Sequence, residues 1–281
     1  MPPQSRHLGV FNGDPMNDAA KSFDAGDLDG CLSQLQASLR QRPADTAARI
    51  FLAQLLLVLG QWQRASNQLN VLAEMDTTCE PLAHAYQPAI QCELFRASVF
   101  AGKTAPLIFG EPPEWIAPLV ESLALSRQGK TAEALAQRAA AFGSATPTAG
   151  SLNGAPFEAF WDMDSRLGPV LELFVEGRYF WVPVSRVQRL ASQPPSNVRD
   201  MVWLPVQVTW SNGGQTVALM PSRYSGSESS TNASLRLARG TEWLDIGEEQ
   251  YQGLGQRMFA TENGELGLFE IRELALATAP G

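Results

Sequence analysis

The chain has only two histidines and three cysteines among its 281 residues, and no excess of positive charge. Each shortage removes a class of function. A nucleophile–histidine–carboxylate site would have to rest on His84, because His7 stands in an aperiodic leader and no nucleophile motif accompanies either residue. No GxSxG, HExxH, Walker loop or GxGxxG stands at a strand-to-helix junction, and Gly253-Leu254-Gly255 has two glycines but no third. A net charge of -8 argues against a phosphate-backbone partner, which calls for a basic patch. Cys31, Cys79 and Cys92 are an odd set without CxxC spacing and fall in helix-like segments, which predicts reduced, buried thiols rather than a disulfide framework. No stretch approaches the roughly 18 unbroken apolar residues of a membrane span, and Met1 to His7 lacks the apolar run of a signal peptide. The expectation is a cytoplasmic protein without cofactor, metal, nucleic-acid partner or membrane span.

What is present begins after a leader at residues 1–15. Leu28, Leu32, Leu35 and Leu39 share one helical stripe, which Pro43 ends. Ile50, Phe51, Leu52, Leu55, Leu56 and Leu59 form the next helix, apolar over a face so wide that neighbours must sandwich it. Gly26 and Gly60 stand 34 residues apart, each followed at the same offset by a small residue, Cys31 or Ala65. That is the tetratricopeptide period, in which glycine makes the tight turn of a helical hairpin and the small residue lets its helices approach. A third copy reads at Gly129 and Ala134, with a divergent helix pair expected between. A long helix is predicted over Glu80 to Ala101, opened by a capping box of Thr77 and Glu80 with Pro81 behind it. Glu111-Pro112-Pro113-Glu114-Trp115 leads rigidly into another helix carrying Ile116, Leu119, Val120 and Leu123.

Gly143 to Gly150 has linker composition, and beyond it the periodicity is that of strands. Asn212-Gly213 and Asn263-Gly264 mark two hairpins, and Ser225 to Ser234 reads as a mobile loop. The fold class is therefore α+β: a tetratricopeptide-like helical domain at 16–142, a linker at 143–150 and a strand-rich α+β domain at 151–281. In Asp162-Met163-Asp164-Ser165-Arg166 the D-x-D spacing suits a divalent ion, and a metal-dependent hydrolase using Asp162, Asp164 and Arg166 is the alternative function. The simpler reading of the cluster is structural, with both carboxylates paired to Arg166 and capping a turn. Glu172 and Glu176 read as a solvated face.

The run Ala25-Gly26-Asp27-Leu28 with Leu59-Gly60-Gln61-Trp62 resembles the ImpE/TagJ accessory proteins of type VI secretion. So do Asp162-Met163-Asp164-Ser165-Arg166-Leu167-Gly168-Pro169, Gly177-Arg178-Tyr179-Phe180-Trp181-Val182-Pro183, Asp200-Met201-Val202-Trp203-Leu204-Pro205, Pro221-Ser222-Arg223-Tyr224, Thr241-Glu242-Trp243 and Gly253-Leu254-Gly255-Gln256-Arg257, in order. The likeness covers residues 18–275. It implies a non-catalytic cytoplasmic adaptor that binds the N-terminal helix of the small sheath subunit and is associated with the unfoldase that recycles the sheath. It carries over no catalytic residue. Two surfaces are candidates for the partner. One is the concave side of the helical stack, with Arg49, Gln54 and Tyr86. The other is the strand-rich half, where Trp203, Arg223, Tyr224, Trp243 and Arg178 gather the residue types most often found as hot spots.

Overall fold

A computed structural model describes residues 14–277. Of the candidate leader only its last two residues are described, and His7 lies outside the described residues. Helices α1 (Asp14–Asp24) and α2 (Leu28–Gln41), α3 (Thr46–Val58) and α4 (Trp62–Met75) form two consecutive hairpins. Asp27 and Asp45 cap α2 and α3 by accepting the backbone N–H of Gly30 and Ala48 at 2.9 and 3.0 Å. Next comes α5 (Glu80–Phe100), the expected long helix. The predicted capping box is not what opens it. Asp76, extended just ahead of a short 3-10 turn, accepts the N–H of Thr78 instead, and α5 begins without a side-chain cap.

The 34-residue self-match marks equivalent places. Gly26, Gly60 and Gly129 all turn a hairpin with φ of 80, 66 and 74°, in the left-handed region that glycine enters without strain. Cys31, Ala65 and Ala134 sit at the same offset and are buried. The third hairpin is α6 (Ile116–Arg127) with α7 (Thr131–Ser144), but the divergent helix pair expected before it is absent among the described residues. α5 stands alone, and the chain then departs to lay β1 (Leu107–Ile108) on a sheet.

Gly60→Val is expected to lower stability by about 1–3 kcal/mol through backbone strain and crowding. A Cβ at Gly60 would meet Glu228 Cγ at 2.6 Å, whereas one at Gly129 meets nothing within 4 Å. Urea melts of Gly60→Val and Gly129→Val should thus show the larger loss at Gly60. An unchanged melt at Gly60 would remove both arguments.

The strand half consists of β2 (Gly150–Leu152), β3 (Ala155–Phe157), β4 (Trp161–Asp162), β5 (Val170–Val175), β6 (Arg178–Pro183), β7 (Val187–Ser192), β8 (Trp203–Trp210) and β9 (Gln215–Pro221). The four-residue helix α8 (Ala233–Arg236) follows, then β10 (Thr241–Gly247), β11 (Gln250–Gly255), β12 (Met258–Thr261), β13 (Gly264–Gly267) and β14 (Glu273–Leu276). Nine strands make one sheet in the order β1-β6-β5-β9-β8-β7-β14-β2-β3, beside a β10-β11 hairpin and a β13-β12-β4 sheet. Both predicted Asn-Gly hairpins are present, as β8-β9 and β12-β13. The serine-rich stretch differs from the mobile loop expected: it holds a 3-10 turn and α8, and buried Ser227 Oγ bonds the Tyr224 carbonyl and the Gly255 N–H.

β5 shows why its sequence is apolar throughout. Its alternate residues Val170 and Phe174 join a core against the helices, while Leu171, Leu173 and Val175 join a second core on the far face with Phe160 and Phe259. The helix-side core runs from Ala19 to Leu237 and so belongs to both halves. This departs from the expectation of two separately cored domains. The segment taken as a linker is partly regular, since α7 continues to Ser144 and β2 starts at Gly150. β1, from the helical half, pairs in parallel with β6, Leu107 against Phe180 and Ile108 against Trp181. Phe109 then stacks on Trp210 with ring centroids 4.0 Å apart.

Candidate functional site

The seam between helices and sheet carries a buried ionic network. Glu172 on β5 is fully buried, not part of a solvated face. It receives Arg96 of α5 bidentately, Nε at 2.6 Å and Nη2 at 2.9 Å, together with the Tyr179 hydroxyl. Trp181 Nε1 donates to the Tyr179 oxygen at 2.7 Å, and Trp203 Nε1 donates to Glu93 at 2.9 Å. Arg257 donates through Nε to Asp162 at 2.9 Å and lies 3.2 Å from Glu172 through Nη1, an ion pair whose angle is too poor for a hydrogen bond. Burial alone would raise the Glu172 carboxyl, but the Arg96 and Arg257 guanidiniums more than reverse this and hold it below its ordinary range. Glu93 goes the other way: burial raises it against the pull of Arg96.

The D-x-D cluster is part of the same system. Asp164 holds Arg166 bidentately at 2.9 and 2.6 Å and accepts the Gly253 N–H at 3.0 Å. Asp162 Oδ1 accepts the Asp164 N–H at 2.8 Å while Oδ2 takes Arg257, so the expected Arg166 partner serves Asp164 and a more distant arginine serves Asp162. Burial pushes Asp162 up to about 6 despite Arg257. The carboxylate oxygens are committed to guanidiniums and backbone N–H groups, an arrangement that suits a structural pin and not a metal ligand set. His84 lies exposed on α5, with no nucleophile beside it. The three cysteines are free and buried, and burial pushes Cys31 and Cys92 up to about 12, well away from a reactive thiolate.

The residues expected to form partner surfaces separate into two sets. Trp203 is buried, its indole stacked on Trp62 and meeting Tyr86 edge-on, each pair 6.2 Å apart. Arg223 is buried and caps α3: Nη1 donates to the Val58 carbonyl at 2.8 Å and Nη2 lies 3.4 Å from that of Leu57. A cation at the carbonyl end of a helix is favoured by the helix dipole, yet burial pulls Arg223 down to about 10. Tyr224 is buried too, its oxygen accepting the Met258 N–H at 2.9 Å. Its ring is the reason for Gly253, where a Cβ would lie 2.3 Å from it. These three residues are therefore corrected from surface to interior, and alanine at Arg223 or Tyr224 would report on folding before any partner. Tyr86 is likewise buried and accepts Gln54 Nε2 at 3.2 Å, while Arg49 donates to Gln68 and to the Pro43 carbonyl. Residues 198–201 pack against α3, and Trp203 packs on Trp62 of α4 and Tyr86 of α5. Trp243 and Arg178 remain exposed, Arg178 over the Phe180 ring.

A concave site lies elsewhere. A cleft of about 670 Å³ lies where α7 and residues 145–148 meet β4, the β10-β11 turn and the β12-β13 sheet. Its walls include Phe142, Phe160 and Trp161, and its mouth Glu248, Glu249 and Glu265. Sequence reasoning singled out none of the six as a site residue. Trp161 offered one signal, a tryptophan beside the D-x-D cluster, while the glutamates are spread over two hairpins that only the fold brings together.

Comparison with known proteins bears on this arrangement. Residues 154–275 match the family model described as ImpE protein, and residues 22–87 match a tetratricopeptide repeat model. The Type VI secretion system accessory component TagJ of Pseudomonas aeruginosa is 48% identical over 256 residues, covering 91% of this chain and 90% of that protein. The crystal structure of protein VPA1032 from Vibrio parahaemolyticus shares the fold, with a TM-score of 0.85 at 23% identity over 93% of this chain and 98% of that one. With repeat hairpins and the sheet half matched in one continuous relative, the chain belongs to the ImpE family, to which its sequence blocks from Asp162 to Arg257 had pointed.

Proposed function

We infer that this protein is a non-catalytic accessory adaptor of a type VI secretion system, working in the cytoplasm. It holds the N-terminal helix of the small sheath subunit and so supports sheath assembly or recycling by the unfoldase. The observation that carries this reading is the near full-length likeness to TagJ, whose name makes it an accessory component of that system. The interior favours the same class. Among the described residues five arginines, Arg96, Arg138, Arg166, Arg223 and Arg257, and five carboxylates, Glu93, Asp162, Asp164, Glu172 and Asp200, are buried. Such a locked seam makes a rigid body for holding a partner and spends its titratable groups on architecture.

The test is calorimetry with the purified small sheath subunit, full-length and without its N-terminal helix. A complex with the first and none with the second is expected. No complex with the full-length subunit, or equal affinity for both forms, would overturn the reading.

A further inference from the structure

We propose that the cleft beside α7 is a docking site for an amphipathic protein segment that carries an apolar anchor flanked by lysine or arginine. This rests on the adaptor reading and deepens it by naming the surface and the partner's chemistry.

The cleft, at about 670 Å³, has the volume of a ligand pocket, which commonly runs from about 300 to 1,000 Å³. Its floor is aromatic and preformed: Phe160 stacks on Phe259 at 5.1 Å, and Phe142 packs so closely over Gly168 that a Cβ there would lie 2.3 Å from its ring. Trp161 stands at the wall, 41% exposed, a large apolar side chain with nothing drawn over it. Glu248, Glu249 and Glu265 form the rim, and none of the three has an ion-pair or hydrogen-bond partner for its side chain among the described residues. Among the described residues no lysine, arginine or histidine lines the cleft. An apolar floor under three unpaired carboxylates is complementary to a cationic apolar segment and repels an acidic one.

The turn at the rim adds an independent observation. Gly247 pairs with Gln250, leaving Glu248 and Glu249 as a two-residue hairpin turn with φ of 51 and 56°. Both sites call for the left-handed region, which asparagine and glycine occupy at low cost and glutamate does not. The chain carries two glutamates where the fold alone would be better served by Asn-Gly, which fits side chains kept for a charge that a partner reads.

The test uses three proteins: the wild type, Trp161→Ala, and the turn variant Glu248→Asn with Glu249→Gly. Titration with a short helix-forming peptide that has leucine and phenylalanine on one face and arginine at its borders should give binding to the wild type. Binding should weaken at least tenfold in each variant and with added salt. A peptide with glutamate in place of arginine should not bind. The turn variant should also melt higher than the wild type, a gain in stability coupled to a loss of binding that a merely structural turn would not show. The proposal is overturned if the wild type does not bind the basic peptide, if all three proteins bind it alike, or if the acidic peptide binds equally well. It is also overturned if sedimentation shows a dimer that the same substitutions abolish, since a second copy of the chain would then fill the cleft. The two readings separate cleanly. A sheath subunit that binds all three proteins alike removes the cleft assignment and leaves the adaptor, whereas a basic peptide held in the cleft with no affinity for the sheath subunit does the reverse.

Discussion

Glu172→Gln is expected to lower the melting temperature by roughly 10 °C, from a loss of about 3–5 kcal/mol. The substitution keeps the size of the side chain and removes only its charge, so the loss measures what the carboxylate does for its neighbours. Arg96 would keep Glu93 at 3.4 Å, a poorer contact to a carboxyl that burial already raises. Arg257 would keep Asp162, but with a second guanidinium nearby and less negative charge between them. Buried cations without full compensation are what makes a broken interior pair costly. Adding Arg96→Met to Glu172→Gln should recover part of the loss, because one unmatched cation is removed and a methionine fits the same channel. The exposed pair of Arg189 and Glu273 is the control: with each side chain nearly half exposed, Arg189→Ala should cost less than about 1 kcal/mol. If Glu172→Gln melts like the wild type, the network contributes nothing to stability.

The pH dependence of that gap has a definite sign. Glu172 is held below its ordinary value of 4.5, so its contribution is complete above that value and is lost as pH falls through the lowered folded value. The difference between wild type and Glu172→Gln should therefore be full at neutral pH and close below about pH 4.5. Asp162 works in the opposite direction in both proteins. With its carboxyl raised by burial to about 6, the folded form takes up a proton more readily than the unfolded one, and stability from this group increases as pH falls from 6 towards 3.8.

The helical hairpins were legible because their signal is local: a glycine at positive φ, a small residue a fixed offset later and a stripe of leucines all sit within one repeat. The strands of the second half were legible for the same reason, through alternation and turn residues. What escaped was everything that depends on two distant segments meeting. Glu172 stands alone in Val170-Leu171-Glu172-Leu173-Phe174-Val175, on the same face as Val170 and Phe174, and this pattern does mark it as buried. Its partner Arg96 is 76 residues away, and nothing in either segment names the other. Trp203, Arg223 and Tyr224 were misplaced for a related reason. Aromatics and arginine gathered in short blocks are typical of binding surfaces, but they also suit a seam where helices close on a sheet and each indole or guanidinium needs one polar partner. Length of α3 in apolar residues had shown that it is sandwiched. It had not shown that residues 198–201 supply one side of the sandwich.

Separating the chain between Gly143 and Gly150 is expected not to yield two folded halves. Expressed alone, residues 150–277 would expose Phe174, Tyr179, Trp181 and Trp203 from the helix-side core, and Glu172 would lose Arg96 while Arg257 stayed. The sheet would also lose its β1 edge. Residues 14–144 would expose the partners of those rings, Trp62, Tyr86, Phe95 and Phe100, and the carbonyls of Leu57 and Val58 would lose the Arg223 cap. Each buried aromatic returned to water forfeits on the order of 2–3 kcal/mol, so four on each side forfeit about 8–12 kcal/mol, as much as the whole 5–15 kcal/mol by which a folded domain is typically stable. Nicking the intact protein is a different matter. Thr146 and Pro147 are exposed, and a cut there breaks no element of the seam. The nicked protein should run as one species on a sizing column and come apart only in denaturant, while each fragment expressed alone should be insoluble or melt without cooperativity. Co-expression should restore a single soluble complex, because the surfaces that would otherwise aggregate are the ones that cover each other. A cooperative melt from either fragment alone would show that the shared core is dispensable and that the boundary near residues 143–150 divides two independent domains.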